Sequence, residues 1–256
     1  MTTSLPSFIA CIHLCPSLSY PAFPGRARAL ELLSADVSAA LDGGADAILL
    51  ENDNDRPHTL TVSKAQVAWI TQAACMTRAM TRVPVGLGVQ RVDWEATIAI
   101  AVAAGLDFVR LDVFVDEVRM LDQAVKVDPG EVTALRRSLG GDSVRLFTDV
   151  HVKHAELVST ASIEESARAA IACGSDAVVV TGAFTGLEPD VGDLDRVRAA
   201  IGPAPVAIGS GLTPENAGVL ARHADLAIVG TSLKEGDRVS TARVRRAVNA
   251  WRAARP

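Results

Sequence analysis

The sequence predicts an α/β fold, a single (β/α)8 TIM barrel that occupies residues 1–256 as one domain, and three observations lead to it. Short apolar runs alternate with helix-like segments until eight strands are counted. A local echo, in which a helix end and an Asp precede an apolar run, recurs four times. The glycine clusters that could hold an anion come late in the chain, not after the first strand.

The first apolar run, residues 8–14, ends in His13-Leu14-Cys15-Pro16. The echo supplies the second, fourth, sixth and eighth strands: Gly44-Ala45-Asp46 leads into one, Gly105-Leu106-Asp107 into the next, then Gly174-Ser175-Asp176 and His223-Ala224-Asp225. The third, fifth and seventh fall in residues 84–89, 144–150 and 205–208. Unbroken apolar strands imply a sheet covered on both faces, and residues 27–41, 62–80, 94–104 and 163–172 have helical periodicity. An open doubly wound sheet shares this alternation, but it usually has fewer strands and sets its glycine loop after the first.

With 256 residues, 49% of them hydrophobic, one large core is well supplied. A net charge of -5 and 4% aromatic residues argue against a nucleic-acid partner and favour a small molecule. Cys11, Cys15, Cys75 and Cys173 lack metal-site spacing and read as buried, reduced thiols. The apolar start has no basic flank and is broken by His13 and Pro16, so it is not read as a signal peptide. No run approaches the roughly 20 apolar residues of a bilayer span, so no integral membrane segment is expected and the cytoplasm is the expected compartment.

Phosphate in such barrels is often held by the loops after strands seven and eight. Gly209-Ser210-Gly211 follows the seventh strand, with Thr213 and Pro214 placed to cap and open a helix. Gly230-Thr231-Ser232 follows the eighth. Glycines let backbone N–H groups approach an anion, and helix starts favour it. Lys234 is placed to add a counter-charge, although a lysine at such a position is more often simply solvated.

Strand five ends in Thr148-Asp149-Val150-His151-Val152-Lys153-His154. If the strand persists, alternation turns Asp149, His151 and Lys153 to one side. An Asp149–Lys153 ion pair that merely plugs the mouth is the structural alternative. Other strand ends contribute His13, Glu51, Asn52, Gln90, Arg91, Arg110, Asp112, Thr181 and Gly182 as substrate-binding candidates.

Ile12-His13-Leu14, Glu51-Asn52, Asp149-Val150-His151-Val152-Lys153-His154-Ala155, Thr181-Gly182 with Thr185-Gly186, Gly209-Ser210-Gly211 and Ile228-Val229-Gly230-Thr231-Ser232-Leu233-Lys234 together resemble the BtpA (BtpA/SgcQ) family over almost the whole chain. The resemblance implies a barrel, and the family name derives from a thylakoid-associated cyanobacterial role in photosystem I biogenesis. The chain departs from the family pattern at Cys15 to Tyr20, at Arg91-Val92-Asp93, and at Asp112, where Asn is common.

The chemistry expected is acid/base work on a phosphorylated sugar or nucleotide-like metabolite, by an isomerase, lyase or glycosidic-bond hydrolase. Lys153 would be the acid or electrophile, and Asp149, His151 or Glu51 the base. No cofactor is required. A metal-dependent variant would place a divalent ion among His13, Glu51, Asp149, His151 or His154. The reading from another class is a non-catalytic assembly or regulatory factor that retains the anion pocket. Trp69, Met76 and Met80 share a helix face, more often core than the interface of a homo-oligomer.

Overall fold

The computed structural model describes residues 5–182, 184 and 186–255. Its barrel strands are β1 (Phe8–His13), β2 (Ala47–Glu51), β3 (Val85–Gly88), β4 (Phe108–Leu111), β5 (Arg145–Val150), β6 (Ala177–Val180), β7 (Val206–Ile208) and β8 (Leu226–Val229). All pair in parallel in chain order, and β8 closes on β1 through Phe8–Ala227, Ile9–Ile228 and Ala10–Val229. The helices are α1 (Arg26–Asp42), α2 (Lys64–Met80), α3 (Trp94–Ala103), α4 (Pro129–Ser138), α5 (Ile163–Ala172), α6 (Val191–Ile201), α7 (Ala217–Leu220) and α8 (Thr241–Ala253). The alternation therefore has the meaning the sequence assigned to it.

The fourfold echo turns out to be a hydrogen-bond device at the bottom of the barrel. Asp46, Asp107, Asp176 and Asp225 each accept from the backbone N–H of Phe8, Val85, Leu146 and Val206, at 2.9, 2.8, 2.8 and 2.8 Å. Each Asp thus ties the start of an even strand to the odd strand before it. An N–H at a strand start has no ladder partner of its own, and a carboxylate supplies one.

Side-chain alternation splits the strands into two faces. Ile9, Cys11, Ala47, Leu49, Phe108, Phe147, Val179, Ala207 and Ile228 form the cluster inside the barrel, while the other set joins the helices in the larger core. Phe108 stacks on Phe147 with ring centroids 4.8 Å apart. Its ring fills the place of a side chain at Gly86, where an added Cβ would lie 2.2 Å from Phe108 Cε2. Glycine at that position is a packing requirement.

Above these rings the inward positions turn polar. One step of two beyond Cys11, Leu49, Phe108 and Phe147 come His13, Glu51, Arg110 and Asp149. His13 lies opposite Glu51 in the β1–β2 register, and Glu51 opposite Gly88. The mouth is built by continuing the interior pattern by one layer.

Three expectations are corrected. β5 stops at Val150, and His151 adopts a φ of 47°, so the two-residue alternation ends before it could align His151 and Lys153 with Asp149. The glycine clusters after β7 and β8 lead into one short helical turn, α7, and a 3-10 turn at Thr231–Leu233, too short to furnish a helix dipole, and the long α8 starts only at Thr241. Of the cysteines only Cys11 is buried. Cys15 is half-buried, and Cys75 on α2 and Cys173 at the end of α5 are exposed, because they fall on the solvent side of their helices. Trp69 is core, with Phe23 edge-on at 5.3 Å, and Met76 and Met80 are half-buried against that core. No described helix is long and apolar enough to cross a membrane.

Candidate functional site

A cavity of about 270 Å³ opens at the C-terminal ends of the strands. It is lined by Cys11, His13, Glu51, Arg110 and Lys153 together with Gly209 to Thr213 and Val229 to Ser232. The late glycine clusters and the polar strand ends thus meet in one space. The N–H groups of Ser210, Gly211, Thr231 and Ser232 have no backbone or side-chain acceptor among the described residues. Free amides of this kind form an anion-binding concavity. The side chains of the two serines are engaged elsewhere: Ser210 Oγ donates to the Leu187 carbonyl at 3.0 Å and accepts from Gly182 N–H, and Ser232 Oγ donates to the Leu212 carbonyl at 2.7 Å.

The glycines differ in purpose. At Gly211, with φ 76°, an added Cβ would stand 2.2 Å from the Glu188 nitrogen, so the loop after β6 rests directly on its backbone. Gly182 is covered by the same loop, with the Leu187 carbonyl oxygen 2.4 Å from where its Cβ would be. A Cβ at Gly209 would lie 2.6 Å from both Thr181 Cγ2 and Val179 Cγ1 and 2.9 Å from Arg110 Nη2, so glycine there leaves room for all three side chains. Thr185, part of the same motif, lies outside the described residues.

A charge network forms the floor. Arg110 donates to both oxygens of Asp149, at 2.9 and 2.8 Å, and to Glu51 Oε1 at 3.2 Å, with all three side chains almost fully buried. Burial works against the guanidinium, but Asp149 and Glu51 override it and keep its pKa well above the usual value. For Glu51, burial alone would raise the carboxyl; Arg110, then His13 and Lys153, reverse this and hold it below the ordinary range. Glu51 is therefore ionised at neutral pH, and Gln90 Nε2 donates to it at 3.2 Å. Asp149 is the partner of Arg110 and not of Lys153, so the ion pair weighed from sequence does not form.

Lys153 reaches the cavity from the loop after β5, its backbone N–H bound to Thr181 Oγ1 at 3.3 Å. Burial, and then Arg110, lower its pKa. Half-buried Asp112 moves the other way: burial and the Asp149 carboxylate push it up to about 7.

Other candidates stand apart from this cavity. His151 lines a separate outer cavity of about 740 Å³ with Thr181 and Gly182, and Lys153 borders both spaces. The His151 N–H donates to Asp116 Oδ2 at 2.9 Å, and Asp116 Oδ1 accepts from Ser166 Oγ at 2.5 Å. Asp116 thereby clamps the turn that delivers Lys153. Asn52 is a brace, bonded to Gln90 N–H and to Asp55, which also gathers Ser17 and Gln66. Arg91 is half-buried and does not line the inner cavity. Sequence reading missed Cys11 as a wall residue, Asp55 and Asp116; only Cys11 carried a signal, standing two residues before His13 on an inward-facing strand.

Cys11, His13 and Glu51 bring potential ligand atoms within 4.8 Å of one another. Two of the three are already engaged: Arg110 holds Glu51, and Lys234 Nζ lies 2.9 Å from His13 Nδ1, while burial and Glu51 raise the Cys11 pKa. Asp149, His151 and His154 do not join this set.

Fold and site define a (β/α)8 barrel with a mixed-charge pocket and two glycine loops at the C-terminal mouth. The chain belongs to the BtpA family, whose sequence profile matches residues 6–253. An uncharacterised protein of Pyrococcus abyssi is 34% identical over 232 residues, 89% of this chain and 87% of that one. The Photosystem I biogenesis protein BtpA of Synechocystis is 30% identical over 91% of this chain and 82% of its own length. Among solved structures, thiamine phosphate pyrophosphorylase from Pyrococcus furiosus superposes with a TM-score of 0.64 at 15% identity, covering 97% of this chain and 96% of that one. N-(5'-phosphoribosyl)anthranilate isomerase from the same organism gives 0.59 at 15%, covering 97% and 100%. At that identity the likeness is one of fold.

Proposed function

We propose that this protein is a cytoplasmic enzyme acting on a phosphorylated sugar or nucleotide-like small molecule by acid/base chemistry, as an isomerase, lyase or glycosidic-bond hydrolase. The observation that carries this reading is the meeting of both glycine loops with Glu51, Arg110 and Lys153 in one cavity. The phosphate sits against the free amides of Gly211, Thr231 and Ser232. Glu51, held ionised, is the base, and Lys153, with its lowered pKa, is the acid or electrophile. Asp149 orients Arg110, while Thr181 lines the outer space. Lys153 lines the same cavity and adds positive charge toward the phosphate, and the reading includes no divalent ion and no cofactor. The named activities of the two barrel neighbours, a thiamine phosphate pyrophosphorylase and a phosphoribosylanthranilate isomerase, agree with a phosphorylated ligand.

The name of the Synechocystis relative favours a second reading, an assembly factor that keeps the anion pocket without catalysis. A screen of phosphorylated pentoses and nucleosides separates the two. Binding with turnover supports the enzyme; binding without turnover supports the assembly factor. No binding by any of them refutes the phosphate reading.

A further inference from the structure

Lys234 Nζ lies 2.9 Å from His13 Nδ1. Asp53 Oδ2 is 3.6 Å from the same nitrogen, beyond hydrogen-bond range. An ammonium group has donors and no acceptor, so His13 Nδ1 supplies the lone pair, and a neutral imidazole then carries its proton on Nε2. The charges facing the ring are Glu51 and Asp53 on the acidic side and Lys234 and Lys153 on the basic side, with the Cys11 thiol beside it. Burial is the largest influence on the ring and keeps it neutral, with the two lysines opposing Glu51 and Asp53.

Nε2 points toward the anion loop. A Cβ at Gly230 would lie 3.1 Å from it. A side chain at Gly230 would therefore press on the imidazole, which would have to give by a few tenths of an ångström. A donor fixed at this point opens beside the unpartnered amides of Thr231 and Ser232.

We propose that His13 is a neutral, Nε2-protonated hydrogen-bond donor to the ligand, and that Lys234 is the positioning residue that fixes this tautomer. The inference rests on the phosphate reading and narrows it: the ligand carries a carbonyl, hydroxyl or ester oxygen next to its phosphate, and Nε2–H polarises that oxygen. A neutral imidazole can act as an electrophile in this way, as in triosephosphate isomerase. With its only lone pair engaged by Lys234, His13 does not serve as the base. That task is left to Glu51.

The test is long-range nitrogen–proton NMR on protein labelled in its five histidines, with His13→Gln assigning the His13 signals. The expected wild-type pattern at pH 7 is an unprotonated Nδ1 and a protonated Nε2. Lys234→Met should mix the tautomers and raise the His13 titration midpoint, because one opposing charge is gone while Glu51 and Asp53 remain; Lys234→Arg should restore the single tautomer. A proton on Nδ1, an imidazolium at pH 7, or a Lys234→Met spectrum like wild type overturns the inference. Inorganic phosphate is then titrated, followed by glycerol 3-phosphate, which carries a hydroxyl and an ester oxygen next to its phosphate. Shifts of the Thr231 and Ser232 amides with either probe, joined by a shift of His13 Nε2 with glycerol 3-phosphate, support it. Amide shifts with an Nε2 unmoved by glycerol 3-phosphate overturn it and leave the anion site standing, and no shift anywhere overturns the phosphate reading and this inference together.

Discussion

The guanidinium of Arg110 grips both carboxylate oxygens of Asp149, through Nε at 2.9 Å and Nη2 at 2.8 Å, and extends its third nitrogen to Glu51. One planar cation therefore holds two buried carboxylates from neighbouring regions of the barrel. A lysine, a point donor, cannot reproduce this fork. Arg110→Met should cost about 3–5 kcal/mol of stability, since it leaves buried charge uncompensated. Chemical denaturation measures it, and Arg110→Lys should recover only part; a fully stable Arg110→Met protein would show that the network is not holding the mouth.

Lys153→Met should have the opposite profile. Asp149 keeps its Arg110 partner in the variant, so the melting temperature should stay close to wild type. On a substrate found by the screen, turnover per folded molecule should fall by roughly 100-fold or more, the usual scale of a lost acid or base. A destabilised but fully active variant would remove Lys153 from the reaction.

Asp112 gives a pH signature. Its folded pKa of about 7 is above the ordinary aspartate value of 3.8. The folded state then binds more protons than the unfolded state between these values, so this group makes stability fall as pH rises from about 4 to 7 and contributes no further slope above that. Asp112→Asn should flatten this part of the profile. Parallel melting curves at pH 5 and pH 8 check it, and identical slopes in both proteins would remove Asp112 as the cause.

Gly211→Ala combines an unfavourable positive φ with a Cβ 2.2 Å from the Glu188 nitrogen. A loss of about 1–3 kcal/mol is expected, with the loop after β6 displaced and stabilisation by inorganic phosphate reduced. Thermal shift with and without phosphate measures both. Equal phosphate shifts in the variant and wild type would separate this glycine from the anion site.

Asp176→Ala, at the far end of the barrel, removes the acceptor of the Leu146 N–H. It should lower stability by about 1–3 kcal/mol and leave activity per folded molecule unchanged. A change in turnover would mean that the bottom ring influences the mouth.

Much of this molecule was legible in local sequence. The apolar runs mark the strands, the Asp before alternate strands marks where they start, and the period of two from Cys11 to His13, Leu49 to Glu51, Phe108 to Arg110 and Phe147 to Asp149 places the polar layer above the apolar one. These properties depend on residues a few positions apart. What the tertiary structure alone decided is who meets whom. His13 and Lys234 are 221 residues apart and touch because β8 closes on β1. Asp149 meets Arg110 instead of Lys153 because β5 ends at Val150 and His151 turns left-handed, sending Lys153 in by a different route. Barrel closure and loop conformation are long-range properties of the packed chain, and no local pattern encodes which buried charge will find which partner.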